Sequence, residues 1–89
     1  MKISIMGSGY VGLVSGAGLA EAGHNVVCMD VDANRIAALQ QGKSPIYEPG
    51  LEEMLVDNAR RGHLTFTTSL EAAVNHARAL LIAVGTPPL

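Results

Sequence analysis

Short apolar segments alternate along this chain with longer segments whose apolar residues recur at helical spacing. The short segments predict strands at 2–6, 25–30, 64–67 and 79–84. The longer ones predict helices at 10–22, 33–41, 51–61 and 70–76. This order, β-α-β-α-α-β-α-β, together with right-handed crossovers, predicts an α/β fold: a Rossmann-like, doubly wound parallel sheet with strand order 3-2-1-4.

Several local features refine these elements. Segment 79–84 is continuously apolar, which predicts a strand buried on both faces. Asp32 and Ser69 stand where the second and fourth helices need an N-cap. Gly16 and Gly18 lie inside the first helix, where each costs about 1 kcal/mol relative to alanine. We therefore expect close contact between that helix and the sheet or a cofactor.

The turn after the first strand carries the pattern Gly7-x-Gly9-x-x-Gly12. Gly7 permits a tight turn, Gly9 lets a pyrophosphate approach the backbone, and Gly12 lets the helix pack closely. Such a pattern alone is a weak signal, but here a strand precedes it and a helix follows. An acid, Asp30, ends the second predicted strand at the spacing that dinucleotide-binding folds use. The pattern therefore predicts a dinucleotide site.

The acid also bears on which dinucleotide binds. Asp30 can accept hydrogen bonds from both ribose hydroxyls, and its charge repels a 2′-phosphate, which favours NAD over NADP. Arg35 follows near the start of the second helix, where it reaches a phosphate or the ribose edge, or else is an ordinary exposed arginine. A flavin is a weaker alternative, because the motif indicates only that an ADP group binds.

Strand order predicts a further contact. In the order 3-2-1-4 the switch point lies between the carboxyl ends of strands one and four. The segment 85–88 should therefore sit beside the glycine turn, with Thr86 near the pyrophosphate or the nicotinamide. The alternative is that Thr86 is an ordinary turn residue before proline.

Composition and charge limit the classes of partner that the protein is expected to bind. The 89 residues make at most one small domain, 48% of them are hydrophobic, and the net charge is −2 without a basic cluster. We therefore expect no nucleic-acid partner. Because no apolar run is long enough to span a bilayer, we also expect no membrane partner and a cytoplasmic protein.

Cys28, the only cysteine, lies in a predicted buried strand and is interpreted as a core residue. The histidines show no metal-ligand spacing, and no catalytic residue is predicted.

Four segments of the chain resemble UDP-glucose dehydrogenases. They are MKISIMGSGYVGLV at 1–14, CMDVD at 28–32, PIYEPGL at 45–51 and GTP at 85–87. GDP-mannose dehydrogenase and other nucleotide-sugar dehydrogenases share this pattern. Tyr47 and the Leu13-Val14 pair favour UDP-glucose.

The resemblance implies a parent enzyme that oxidises the C6 alcohol of UDP-glucose to UDP-glucuronate while two NAD are reduced. A catalytic cysteine carries the covalent intermediates in that family. Carried over to this chain, the resemblance assigns NAD contacts to Tyr10, Val11, Asp30, Arg35 and Thr86.

The family's catalytic cysteine, lysine, asparagine and aspartate belong to later segments, and Cys28 matches a strand position instead. The resemblance therefore implies that residues 1–89 are the N-terminal part of an NAD-binding Rossmann domain, without the central helical and UDP-sugar-binding domains. We expect that the chain alone does not turn over substrate and that UDP-glucose binds through other domains. We also expect that the parent protein is a homo-oligomer, a dimer.

An open apolar edge at 80–84 would favour self-association of the isolated chain. The alternative from another class is a non-catalytic NAD-sensing module.

Overall fold

The computed structural model describes residues 1–83, which form four strands and four helices. In chain order they are β1 (Lys2–Met6), α1 (Tyr10–Glu21), β2 (Asn25–Met29), α2 (Ala33–Gln40), α3 (Leu51–Arg60), β3 (Leu64–Thr67), α4 (Leu70–His76) and β4 (Ala79–Ile82). The predicted element order is confirmed. Three helices and two strands end one or two residues earlier than predicted.

The four strands form one parallel sheet in the order β3-β2-β1-β4, as predicted. In the register of the central strands, Met6 at the end of β1 pairs with Met29 at the end of β2 and with Ile82 at the end of β4. The carboxyl ends of these strands therefore meet at one edge of the sheet, where α/β proteins of this kind bind their ligands.

Helices cover both faces of the central strands. On one face, α1 packs so closely that a Cβ on Gly16 would lie 2.9 Å from Cys28 Sγ and 3.4 Å from Ile5 Cδ1. On the other face, the buried Ser4 hydroxyl donates to the carbonyl of Ala73 in α4 at 2.6 Å. Alternate residues of β1 thus serve two packing layers, Ile5 towards α1 and Ser4 towards α4.

The expected close contact of the α1 glycines with the sheet is confirmed at Gly16 and is not found at Gly18. Gly16 lies against the sheet, but a Cβ on Gly18 would meet no other part of residues 1–83 within 4 Å. Gly18 is exposed because it lies on the side of α1 turned away from the strands.

The prediction that segment 79–84 is a strand buried on both faces is wrong for the residues described. Leu80, Leu81 and Ile82 are 47%, 43% and 72% exposed. The reason is that β4 pairs only with β1 and no described helix packs across its outer part. An apolar strand therefore lies at the sheet edge, and the last predicted strand residue, Val84, lies outside the described part of the chain.

Both predicted N-caps are present. Asp32 Oδ1 accepts the Arg35 N–H at 3.1 Å, and Ser69 Oγ accepts the Ala72 N–H at 3.0 Å. None of the helices in residues 1–83 is long and apolar enough to cross a membrane.

Candidate cofactor-binding site

The glycine turn joins β1 to α1 at the carboxyl edge of the sheet. Gly7 has a φ of +110°, which side chains disfavour, and its N–H donates to the carbonyl of Met29 at 2.7 Å. A Cβ on Gly12 would lie only 1.9 Å from the carbonyl oxygen of Gly7. The first turn of α1 therefore packs directly onto the glycine turn, as the spacing predicted.

The N-terminus of α1 is open to an anion. Gly9 is the N-cap and supplies no side-chain hydrogen bond, and the first turn holds no acidic residue. The first hydrogen bond of the helix runs from the Leu13 N–H to the Gly9 carbonyl at 2.9 Å, so the N–H groups before it lie outside the helical ladder. A Cβ on Gly9 would meet nothing within 4 Å in residues 1–83. N–H donors outside the helical ladder, a positive dipole end and the space left by residues 1–83 suit a phosphate.

Asp30 stands directly after β2 and faces the glycine turn. Its N–H donates to the Thr67 carbonyl at 3.1 Å, which fixes the backbone next to β3. Its Oδ2 accepts both the N–H and the hydroxyl of Ser8, each at 2.8 Å. Its Oδ1 accepts the Asp32 N–H at 3.0 Å. The carboxylate is therefore held against the turn from which α1 begins.

Arg35 makes a looser contact with the same carboxylate. Its Nη1 lies 3.4 Å from Asp30 Oδ2, and 38% of its side chain is exposed against 13% for Asp30. The structure adds a third interpretation to the two that the sequence left open for Arg35. The residue is an ion-pair partner of Asp30, lies near the predicted ribose position, and is exposed enough to turn outward.

Electrostatics keep Asp30 ionised. Burial raises the pKa of the Asp30 carboxyl, since water no longer solvates its charge. The hydrogen bonds donated by Asp32 and Ser8 and the charge of Arg35 act in the opposite direction and outweigh burial. The pKa therefore lies below its ordinary value of 3.8, and the group is an anion at neutral pH.

The remaining predicted site residues lie around the turn or outside the described structure. Tyr10 and Val11 begin α1 and are 54% and 62% exposed, so their side chains are available to a ligand. Ala83 donates its N–H to the Met6 carbonyl at 2.8 Å, and its Cβ lies 3.5 Å from the position a Gly12 Cβ would take. Ala83, just after β4, thus lies beside the glycine turn, while Thr86 and the rest of the predicted segment 85–88 lie outside the described residues.

Sequence reasoning missed the contribution of Ser8. The residue fills a variable position of the glycine pattern, and nothing in the pattern ties it to the second strand. It is fully buried and bonds to Asp30 through two groups. A polar residue between the first two glycines was the only available signal.

Comparison with known proteins supplies the family. Residues 1–89 match the NAD binding domain of the UDP-glucose/GDP-mannose dehydrogenase family over their whole length. The chain belongs to this family. The dinucleotide predicted from the glycine pattern and Asp30 is therefore NAD, and the flavin alternative is not supported.

Relatives within the family act on different sugars. The chain is 51% identical over 87 residues to UDP-glucose 6-dehydrogenase YwqF of Bacillus subtilis, covering 98% of this chain and 20% of the relative. A GDP-mannose dehydrogenase structure from Pseudomonas aeruginosa superposes with a TM-score of 0.94 at 46% identity, covering 98% of this chain and 20% of that one. A UDP-glucose dehydrogenase structure from the archaeon Pyrobaculum islandicum gives 0.93 at 47% identity, covering 100% and 21%.

These figures also show that the chain spans about a fifth of the length of the relatives it matches.

The environment of Cys28 indicates a structural role for this residue. It is fully buried, and burial raises the pKa of its thiol to about 12, so it is not a thiolate at neutral pH.

Proposed function

We propose that this domain binds NAD for a UDP-glucose 6-dehydrogenase, which oxidises UDP-glucose to UDP-glucuronate with reduction of two NAD. The observation that carries the proposal is the ionised Asp30 carboxylate held beside the open N-terminus of α1. The 51% identity to a UDP-glucose 6-dehydrogenase and the Tyr47-containing loop favour UDP-glucose as the substrate of the parent enzyme.

The pyrophosphate of NAD is proposed to lie at the glycine turn. Gly9 leaves room for it, and the first N–H groups of α1 donate to its oxygens. Gly7 and Gly12 hold the turn and the helix in the geometry that aims these donors. Tyr10 and Val11 are exposed at the same place and are proposed to flank the cofactor.

The adenosine ribose is proposed to bind Asp30. An anionic carboxylate accepts hydrogen bonds from the ribose hydroxyls and repels a 2′-phosphate, which favours NAD over NADP. Arg35 lies close enough to border the ribose, and its loose contact at 3.4 Å allows it to release Asp30. Thr86 is proposed to contact the nicotinamide half from the segment after β4.

The catalytic steps are proposed to use groups beyond this span. NAD accepts a hydride from the substrate alcohol, and the residues described here bind and orient the cofactor for that step. The only cysteine, Cys28, is buried and protonated and does not serve as the nucleophile. The catalytic cysteine, the central helical domain and the UDP-sugar domain belong, on this proposal, to the remaining four-fifths of a parent that forms dimers in the cytoplasm.

GDP-mannose is the second candidate substrate, because the GDP-mannose dehydrogenase of Pseudomonas aeruginosa superposes with a TM-score of 0.94. NADH formation by the protein that carries this domain, followed at saturating UDP-glucose and then GDP-mannose, separates the two. UDP-glucose-dependent NADH with two equivalents per sugar supports the proposal. Turnover only with GDP-mannose contradicts the UDP-glucose assignment. Saturable NAD binding without turnover on any nucleotide sugar would favour the NAD-sensing module.

A further inference from the structure

Ser8 has an arrangement that the glycine pattern does not require. It is fully buried, and its N–H and hydroxyl both donate to one atom, Asp30 Oδ2, at 2.8 Å. A serine hydroxyl in a turn commonly bonds to backbone within a few residues. Here it reaches across to a residue 22 positions away, at the end of the neighbouring strand.

These two bonds determine which part of the carboxylate is free for a ligand. An ionised carboxylate has about four acceptor sites, two on each oxygen. Ser8 occupies two on Oδ2, while Oδ1 accepts only the Asp32 N–H among residues 1–83. Within the described part of the chain, the unused acceptor capacity therefore lies on Oδ1, and Oδ2 has Arg35 as a third, weakly held neighbour.

We propose that Ser8 is a positioning residue that fixes the Asp30 carboxylate and thereby strengthens the preference for NAD over NADP. The inference rests on the NAD-binding role proposed for this site. Ser8 does not touch the ribose in this account. It acts through Asp30 by holding Oδ2 against the turn, so that Oδ1 and the negative charge stay directed at the ribose hydroxyls.

Discrimination against a 2′-phosphate depends on where that charge lies. Without the Ser8 hydroxyl, Oδ2 keeps one strong donor from the turn, and Arg35 becomes the competing partner. Since 38% of the Arg35 side chain is exposed, the carboxylate can follow it outward. The ribose hydroxyls then lose a fixed acceptor, and a 2′-phosphate meets less repulsion.

The test is a pair of titrations, NADH and NADPH, on the wild-type chain and on Ser8→Ala. We expect NADH affinity to fall about 10-fold, the equivalent of one charge-assisted hydrogen bond, while NADPH affinity stays the same or rises because its 2′-phosphate meets less repulsion. The matched control is Ser4→Ala, which also removes a buried hydroxyl bond, at 2.6 Å to Ala73. It should lower the melting temperature without moving the NADH/NADPH ratio.

A second readout follows the carboxylate without any cofactor. Because the Ser8 hydroxyl helps to lower the pKa of Asp30, Ser8→Ala should raise that pKa, measured by NMR of the side-chain carboxyl carbon, and Ser4→Ala should not. If Ser8→Ala does not fold, Ser8→Cys replaces it, since it keeps a side chain there with only a weak S–H donor.

The possible outcomes distinguish a failure of the Ser8 inference from a failure of the proposed NAD-binding function. An unchanged cofactor ratio and an unchanged Asp30 pKa in a folded Ser8 variant overturn the inference. An equal change of ratio in Ser4→Ala also overturns it, because the effect is then general destabilisation. Absence of NADH binding by the wild-type chain contradicts the proposed function instead, and the pKa comparison still decides the role of Ser8.

Discussion

Gly9 and Gly12 occupy the same turn, but the space around them differs. A Cβ on Gly12 would lie 1.9 Å from a backbone oxygen, whereas a Cβ on Gly9 would meet no described residue within 4 Å. Gly12→Ala should therefore destabilise the fold by about 3 kcal/mol or more, as overpacking against backbone does. Gly9→Ala should cost less than about 1 kcal/mol in stability yet weaken NADH binding, because its methyl group enters the phosphate space.

Urea unfolding and NADH titration of the two variants check this pair. Equal loss of stability in both would contradict the packing explanation. Undiminished NADH binding by a folded Gly9→Ala would place the pyrophosphate elsewhere.

Asp30 gives the site a defined pH dependence. Its pKa in the folded chain lies below the ordinary 3.8, so its ionised form adds stability above that value. This contribution is lost as the pH falls through the folded-state pKa. Wild-type stability should therefore be insensitive to this group between about pH 5 and about pH 8 and fall more steeply in acid than that of Asp30→Ala. Parallel acid profiles for the two chains would show that the Ser8 and Asp32 contacts do not stabilise the anion.

At the scale of elements, the strand after α4 is the feature that sequence reasoning judged least well. Its continuous apolar run correctly predicted a strand, but burial depends on what lies beside the strand. Leu80, Leu81 and Ile82 are exposed because β4 pairs with β1 alone among the described residues. An apolar run gives the type of an element, and only the tertiary neighbours decide its exposure.

The exposed edge leads to a prediction for the 89-residue chain. An apolar strand with unpaired backbone groups is a template for pairing with another copy. We expect concentration-dependent self-association, measured by light scattering, and Ile82→Lys should reduce it because a charged edge resists pairing. The matched control is Val74→Lys, which places the same charge at a 52% exposed position on α4. A monomer at all concentrations, or equal effects of the two substitutions, would contradict the role of β4.

The helix caps and the glycine turn were predictable because each depends on few neighbouring residues. Asp32 and Ser69 cap their helices through the residue three positions on, which is visible in the sequence. The contact between Ser8 and Asp30 was not predictable in the same way. It requires the register of β1 against β2, which brings the residues after both strands to one place.

At the scale of the whole molecule, topology joins these parts into one site. The order β3-β2-β1-β4 places the glycine turn after β1 between Asp30, after β2, and Ala83, after β4. Right-handed crossovers and alternating elements were enough to predict this order, since few arrangements satisfy both. The identity of the sugar was not predictable, because none of the residues of this cofactor site is proposed to contact the sugar.

The most direct test of the account is a fluorescence titration of NADH and NADPH with the 89-residue chain, which contains no tryptophan to obscure the signal. Asp30→Ala is the test variant. Asp57→Ala is the matched control, since Asp57 in α3 also pairs with an arginine, Arg61, which directly follows that helix, at 3.1 Å.

We expect saturable NADH binding, a much weaker NADPH response, and an NADH affinity about 10-fold to 100-fold lower in Asp30→Ala, the range expected for hydrogen bonds to a charged group. Asp57→Ala should bind as the wild type does. Equal affinities for NADH and NADPH, or unchanged NADH binding by a folded Asp30→Ala, would contradict the central claim that Asp30 holds the ribose of NAD.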